Sequence, residues 1–383
     1  MLRAVSDLEG IRDVWETWPG NRDSDINSFL TFLSSHPETV RPHVLVIYRA
    51  GKPDALLVGR IDMGRIDCRI GYLRITLSAR VMYFVYGALR GNATERNCNL
   101  LLEEILGSLS QGEADAAYMN FLRHDSDLCR LATKKPALVC RDYIRITQPH
   151  FATALPATVE EFYQGLSPKV RKNQKWQAKK LDKHFSGAVT IRCFREVADL
   201  DRMIQDVEQV ARKSYQRGLG VGFVDSPRTR EGLRLKAEKG WLRGYVLYLA
   251  ERPCAFWLGD VNGNTFGSDC TGYDSEFASY SPGMYLVMKV IERLCDGNPE
   301  GVTAVDFATG QAQYKEVLSN RKWEEESVYI FAPSMKGISL NLVRSFVCGI
   351  DQAAKKLLAS TNLLQRIKKS WRAHAGSKAA TVG

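Results

Sequence analysis

The sequence predicts a mixed α/β chain, α+β in its element order, made of two tandem copies of one β-hairpin–β–α–β domain. Three observations predict it. The 383 residues exceed the usual size of a single domain. Hydrophobic residues supply 45% and charged residues 25%, the balance of a chain that buries a core rather than staying disordered. Finally, "LVIYRAGKPDALLVGR" (45–60) aligns without a gap with "YVLYLAERPCAFWLGD" (245–260), so one supersecondary unit occurs twice.

Each aligned segment is an apolar run, a tight turn and a second apolar run, which is a hairpin signature. Val46/Val246, Tyr48/Tyr248, Ala50/Ala250, Pro53/Pro253, Ala55/Ala255 and Gly59/Gly259 are identical, and Lys52/Arg252 keep the charge. The order that follows is also shared. The first copy continues with a strand over 80–91, a helix over 95–110 and a strand over 114–122. The second has a strand over 264–274, a helix over 281–297 and a strand over 302–310. The stretch "QPHFATALPAT" (148–158) divides the copies. The expected organisation is a first domain over 1–155, a second over 156–335 and a basic amphipathic helical tail over 336–383.

The copies differ where a ligand would sit. The second helix is preceded by "SYSPGMYL": Ser281 suits a cap, Pro282 the first helical position, and Gly283 a close approach to the backbone. Such a helix N-terminus, fed by a strand, is suited to phosphate, although plain capping is the other reading. The first copy has "RGNATERN" there, with a glutamate where an anion would bind. The N-terminal copy thus reads as a degenerate scaffold. In "AVDFATGQAQYKEVLSNRKW" (304–323) an apolar run ends on Asp306, Gly310 follows, and Tyr314-Lys315 fall inside a helix expected from Gln311. Ligands of open α/β sheets gather at the carboxyl ends of strands. Lys315 is then either a solvated surface lysine or a cation aimed into that cleft. The matching strand of the first copy, "AAYMNFLRHDSD", runs on without this corner.

The net charge of +10 is concentrated. Residues 167–183, "SPKVRKNQKWQAKKLDK", carry +6 and residues 341–383 carry +7, on a body near −3. Two local basic features argue for specific anionic encounters and against a DNA partner. In the first of them, a helix places Arg171, Lys175 and Lys179 on one face and Lys172 and Trp176 beside it, with Lys169 at its start. A solvated face is one reading and a phosphorylated partner the other; like charges four apart destabilise a helix that has no ligand. The second segment reads as an amphipathic helix with Val343, Val347, Ile350, Ala354, Leu357, Leu364, Ile367 and Trp371 along one side. It either packs on the body or, through 341–371, touches an anionic membrane surface. No apolar run approaches the ~20 residues that cross a bilayer. The N-terminus lacks a signal core, so the expected location is the cytoplasm, with the inner face of the membrane as an option. Nine scattered cysteines suit reduced thiols, and the six histidines show no metal-ligand spacing, so no metal is expected.

With these elements in order, residues 160–335 resemble the GNAT-superfamily acyltransferases of the CelD/BcsL type, found with bacterial cellulose and exopolysaccharide biosynthesis. These are similar in turn to FemAB-type peptidyltransferases, which also contain two GNAT-like domains. The resemblance rests on Ser281-Pro282-Gly283, on Asp306-Phe307, Gly310 and Tyr314-Lys315, and on the basic helix with Arg171. It implies two tandem acyl-CoA N-acyltransferase-like domains and acyl transfer from acyl-CoA, acetyl or longer, to an amine or hydroxyl of a glycan or phosphorylated cell-envelope precursor. Ser281, Pro282, Gly283, Met284 and Tyr285 stand where the family binds CoA. Of the usual pyrophosphate loop only Gly283 matches, which leaves a carrier-protein thioester or aminoacyl-tRNA as other donors. Lys315 takes over the role of a lysine that stabilises the tetrahedral intermediate. Tyr314 is a proton donor to sulfur or a packed aromatic, and Asp306 a base or the anchor of a turn. Asp269 and Tyr273 line the acceptor side. No Ser-His-Asp or Cys-His pattern stands out, so direct attack by the acceptor is expected. Two other functions fit the same residues: FemAB-like aminoacyl transfer, and a non-catalytic partner of a polysaccharide synthase.

Overall fold

The computed structural model describes residues 1–70, 73–218, 222–296 and 300–360. The described residues divide into two compact units, Met1–Gln148 with the chain from Trp323 to Ser360, and Pro149–Lys322. The strand and the described part of the helix that follow Lys322 group with the first unit.

In the first unit, three helices, α1 (Val5–Glu9), α2 (Arg12–Thr17) and α3 (Ile26–Ser35), precede β1 (Thr39–Pro42), β2 (Leu45–Arg49), β3 (Lys52–Ile70) and β4 (Leu73–Gly91). The chain continues through α4 (Glu95–Ser110), β5 (Ala116–Arg123) and α5 (Asp127–Lys134). β2 and β3 form the expected hairpin, and α4 crosses over so that β4 and β5 pair in parallel. β3 and β4 remain paired far beyond the expected strands, to Ile70↔Leu73. Leu8, Trp15 and Phe29 from the helices and Leu56, Val58, Met82 and Leu102 fill one core.

The second unit begins with β6 (Ile146–Ala154), α6 (Val159–Gly165), α7 (Pro168–His184), β7 (Val189–Phe194), α8 (Leu200–Arg212), α9 (Tyr215–Gly218) and α10 (Pro227–Glu238). Then come β8 (Leu242–Leu249), β9 (Arg252–Asn262), β10 (Thr265–Tyr273), α11 (Pro282–Cys295), β11 (Ala304–Thr309) and α12 (Gln313–Leu318). The strand order is β6-β11-β10-β9-β8-β7. Every residue of β8 is buried, because helices cover both faces. Tyr245, Leu247 and Trp257 pack with Leu286 and Val290 of α11 on one side. Val246, Phe256 and Leu258 meet Met203 and Val207 of α8 on the other.

The repeat survives in detail. Both hairpins slip register at the same place, between Ile47 and Tyr48 in one and between Leu247 and Tyr248 in the other. Ala50 and Ala250 both turn at φ +48°, and both copies place a crossover helix between parallel strands.

β12 (Arg321–Phe331) and α13 (Met335–Ser360) complete the first unit. α13 packs through Leu340, Asn341, Arg344, Val347 and Asp351. The Arg344 guanidinium ion-pairs with Asp142 and donates to the Ile144 carbonyl at 2.7 Å. Asn341 Nδ2 donates to the Val139 and Arg141 carbonyls, 2.9 Å each. The expected apolar stripe is thus not the packing face. Val347 is buried, but Val343, Ile350 and Ala354 are exposed; only the backbone of Leu357 is described, and Leu364, Ile367 and Trp371 lie outside the described residues. The ion pair with Asp142 sets the rotation of the helix, which spacing alone does not reveal.

Candidate active site

β10 and β11 pair in parallel only over Thr265↔Ala304, Phe266↔Val305 and Gly267↔Asp306. Just beyond, β10 shifts register against β9 between Ser268 and Cys270, and β11 shifts against β6 between Asp306 and Thr309. The carboxyl ends of the two parallel strands therefore run on unpaired with each other, and this splay at the sheet's ligand end is the candidate cleft.

The corner of β11 is strained and tightly held. Ala308 has φ +60° and Gly310 φ +95°, a region costly for alanine and open to glycine. Asp306 Oδ1 accepts from the Ala308 amide at 2.7 Å and from His150 Nε2 at 2.6 Å. α12 begins at Gln313 rather than Gln311, so Lys315 stands in its first turn. Its Nζ reaches back to donate to the carbonyls of Thr309 (2.7 Å) and Ala308 (3.3 Å). Burial pushes its pKa down to about 8, with Asp306 pulling the other way. These contacts hold the half-buried Lys315 side chain against the corner instead of leaving it extended into solvent. Tyr314 packs edge-on against Phe307 with ring centroids 6.0 Å apart. Burial pushes its phenol up to about 12, and Tyr215 and Cys270 add to the rise.

α11 starts at this cleft. Ser281 adopts the left-handed conformation at φ +51° and its hydroxyl caps nothing, which corrects the expected serine cap. Pro282 has no N–H, and the Tyr285 amide is taken by the Ser281 carbonyl at 3.0 Å. The amides of Gly283 and Met284 remain for an outside acceptor. No acid lies in this first turn, so the donors suit a diphosphate. A Cβ on Gly283 would come within 3.3 Å of Tyr273 Cδ1, so Tyr273 lines the start of α11. The Tyr285 side chain faces away from that turn, its hydroxyl donating to Asp182 of α7 at 3.1 Å. Asp269 is bound by Lys236 of α10, which also lies 3.2 Å from Asp260. Of the expected site residues, Asp306, Tyr314, Lys315, Tyr273, Gly283 and Met284 fall on the elements around the cleft, whereas Asp269 and the Tyr285 side chain serve helix docking.

α7 is capped by Ser167, whose Oγ accepts from the Val170 amide. Pro168, Arg171, Lys172, Lys175, Trp176 and Lys179 line a recess of about 520 Å³ along it. Among the described residues none of these cations, nor Lys169, pairs with a carboxylate. Lys180 ties the helix to the segment leading into α11, donating to the Ser279 carbonyl at 2.9 Å. Among the described residues no group of three or more metal-ligating side chains is assembled.

The first copy shows what was lost. Its corner is present, with Phe121 at φ +47°, contrary to the expectation of a strand running straight on. The third residue of the following helix is Cys129, where α12 has Lys315, and its thiol faces Glu326 at 3.8 Å. The N-terminus of α4 is filled by its own Thr94 cap and carries Glu95. The sequence reading missed His150, which it took for a linker residue. His150 to Thr153 are buried in succession, so the strand carries no period-two alternation that would have marked it.

Residues 168–316 match the family described as an acetyltransferase (GNAT) domain. This segment holds the cleft, α7 and Lys315, and it defines an acyltransferase enzyme of the GNAT type, for which acyl-CoA is the implied co-substrate. Among solved structures, FemX is similar at 10% identity with a TM-score of 0.52, covering 85% of this chain and 96% of that one. A conserved protein of unknown function from Bacteroides thetaiotaomicron VPI-5482 is similar at 12% identity and a TM-score of 0.50, covering 85% and 97%. A tandem GNAT protein from the clavulanic acid biosynthesis pathway gives 11% identity and a TM-score of 0.48, covering 86% and 97%. Such identities speak for the fold alone. No curated protein matches the sequence.

Proposed function

We propose that the second unit transfers an acyl group from acyl-CoA to an amine or hydroxyl of a glycan or cell-envelope precursor, as an enzyme of the CelD/BcsL type. The acceptor attacks the thioester carbonyl directly: its C–N or C–O bond forms, the C–S bond breaks, and the acceptor's proton leaves. The observation that carries this reading is Lys315, turned from the first turn of α12 onto the strained corner of β11. Negative charge develops on the carbonyl oxygen and then on sulfur, and a fixed cation in a partly dry cleft stabilises both. Asp306, held by His150, faces this corner as the candidate base, and Tyr314, with its phenol kept protonated, as the candidate donor to sulfur. The amides of Gly283 and Met284 would take the diphosphate of CoA. Lys169, Arg171, Lys172 and Lys175 would take a second phosphorylated group, and α13 would touch a membrane. The expected test is thiol release from acyl-CoAs of increasing chain length, abolished or lowered on the order of 10²-fold or more in Lys315→Ala. Unchanged turnover in that variant overturns the assignment of Lys315.

The unpaired cations of α7 favour one second reading, FemAB-like aminoacyl transfer with the basic helix on tRNA. Calorimetry separates the two. CoA binding supports the first reading, and tRNA binding without CoA binding moves the assignment to the second.

A further inference from the structure

We propose that the outward face of α13 is a docking surface for an anionic lipid bilayer. Leu342, Val343, Phe346 and Ile350 are 67%, 41%, 71% and 42% exposed. Their spacing puts them on one side of the helix, and Met335, 86% exposed, begins the same stripe. Single exposed apolar residues are ordinary, but a run of them along one helix marks a contact surface.

The rotation of α13 makes the exposure deliberate. A helix free to turn would bury Phe346 and leave its polar groups in water. Here the reverse holds: Arg344 is buried on Asp142, and Asn341 is buried on two backbone carbonyls. Each of these groups is costly to bury unless partnered, so the lock opposes rotation and keeps the apolar stripe outside. The side opposite the stripe is occupied by the packing of Leu340, Asn341, Arg344 and Val347, and no helix among the described residues is long and apolar enough to cross a membrane. Such a helix lies along an interface.

Charge chooses the occupant. From residue 352 to the end, the sequence has seven Lys/Arg and no acid. A second copy of this chain carries the same positive charge, which opposes self-association. A bilayer with anionic headgroups accepts an apolar stripe and attracts a chain of that charge. This surface deepens the membrane part of the reading above. Vesicle binding is measured apart from thiol release, so either can fail alone.

The test is flotation of the full chain with phosphatidylglycerol-containing vesicles and with pure phosphatidylcholine vesicles, alongside light scattering without lipid. Binding to the first, weaker in high salt and lowered roughly 10-fold or more in Leu342→Gln/Phe346→Gln, is expected. Phe346→Trp keeps the apolar area and is expected to retain binding. Both variants should keep the wild-type melting temperature, since the positions touch no core. The proposal is overturned if the full chain ignores anionic vesicles at low salt, or if the double variant binds as well as the wild type. It is also overturned if light scattering shows a dimer that the double variant dissolves, because the face then belongs to a second copy.

Discussion

Lys315 has to sit in two environments at once. Burial works against its charge, and two carbonyls with Asp306 nearby work for it; the balance is a pKa lowered to about 8. Below that value the ammonium is present, and it is lost as pH rises through it. A lysine that stabilises negative charge therefore predicts a kcat/KM profile that falls with a midpoint near pH 8. Lys315→Met should remove that falling limb along with most of the rate. A rising limb at the same midpoint would make the lysine a base instead. None of this was legible at the residue scale from the sequence. The string around Tyr314-Lys315 marked a corner, but His150 and Asp306 meet across 156 positions, and no local pattern announces such a pairing.

At the scale of elements, the two crossover helices make a natural experiment. α4 caps itself with Thr94 and carries Glu95 in its first turn, whereas α11 leaves its first amides open. Met284→Glu would copy the first arrangement into the second. An acid in the first turn stabilises a helix by about 0.3–1 kcal/mol, so the melting temperature should hold or rise slightly. The KM for acyl-CoA should increase in the same variant, because the carboxylate repels the diphosphate. A KM that stays constant would remove the α11 terminus from the donor site. The hairpins, both crossovers and the basic helix were readable in advance, since turns, caps and periodicity are local. The long continuation of β3 and β4 was not, because beyond Met63 and Arg80 the two strands pair just with each other and carry no turn or cap to mark where they end.

For the whole molecule, the chain closes its first unit by returning with β12 and α13 after the second is built. The Arg344–Asp142 pair is the polar lock of that closure, and Asp142 also accepts from the amides of Ile144 and Tyr329. Removing one member of a buried pair strands the other, at a cost of about 3–5 kcal/mol. Arg344→Met should lower the urea midpoint accordingly, and a loss under about 1 kcal/mol would show the lock to be dispensable. The sequence by itself determined the doubled architecture, the unequal copies and the corner that carries Lys315, because each is written in neighbouring residues. Only the tertiary structure decided that His150 backs Asp306, that Asp269 is committed to Lys236, and which side of α13 faces out. Those outcomes depend on groups far apart in the chain, whose burial is settled by the partners they meet.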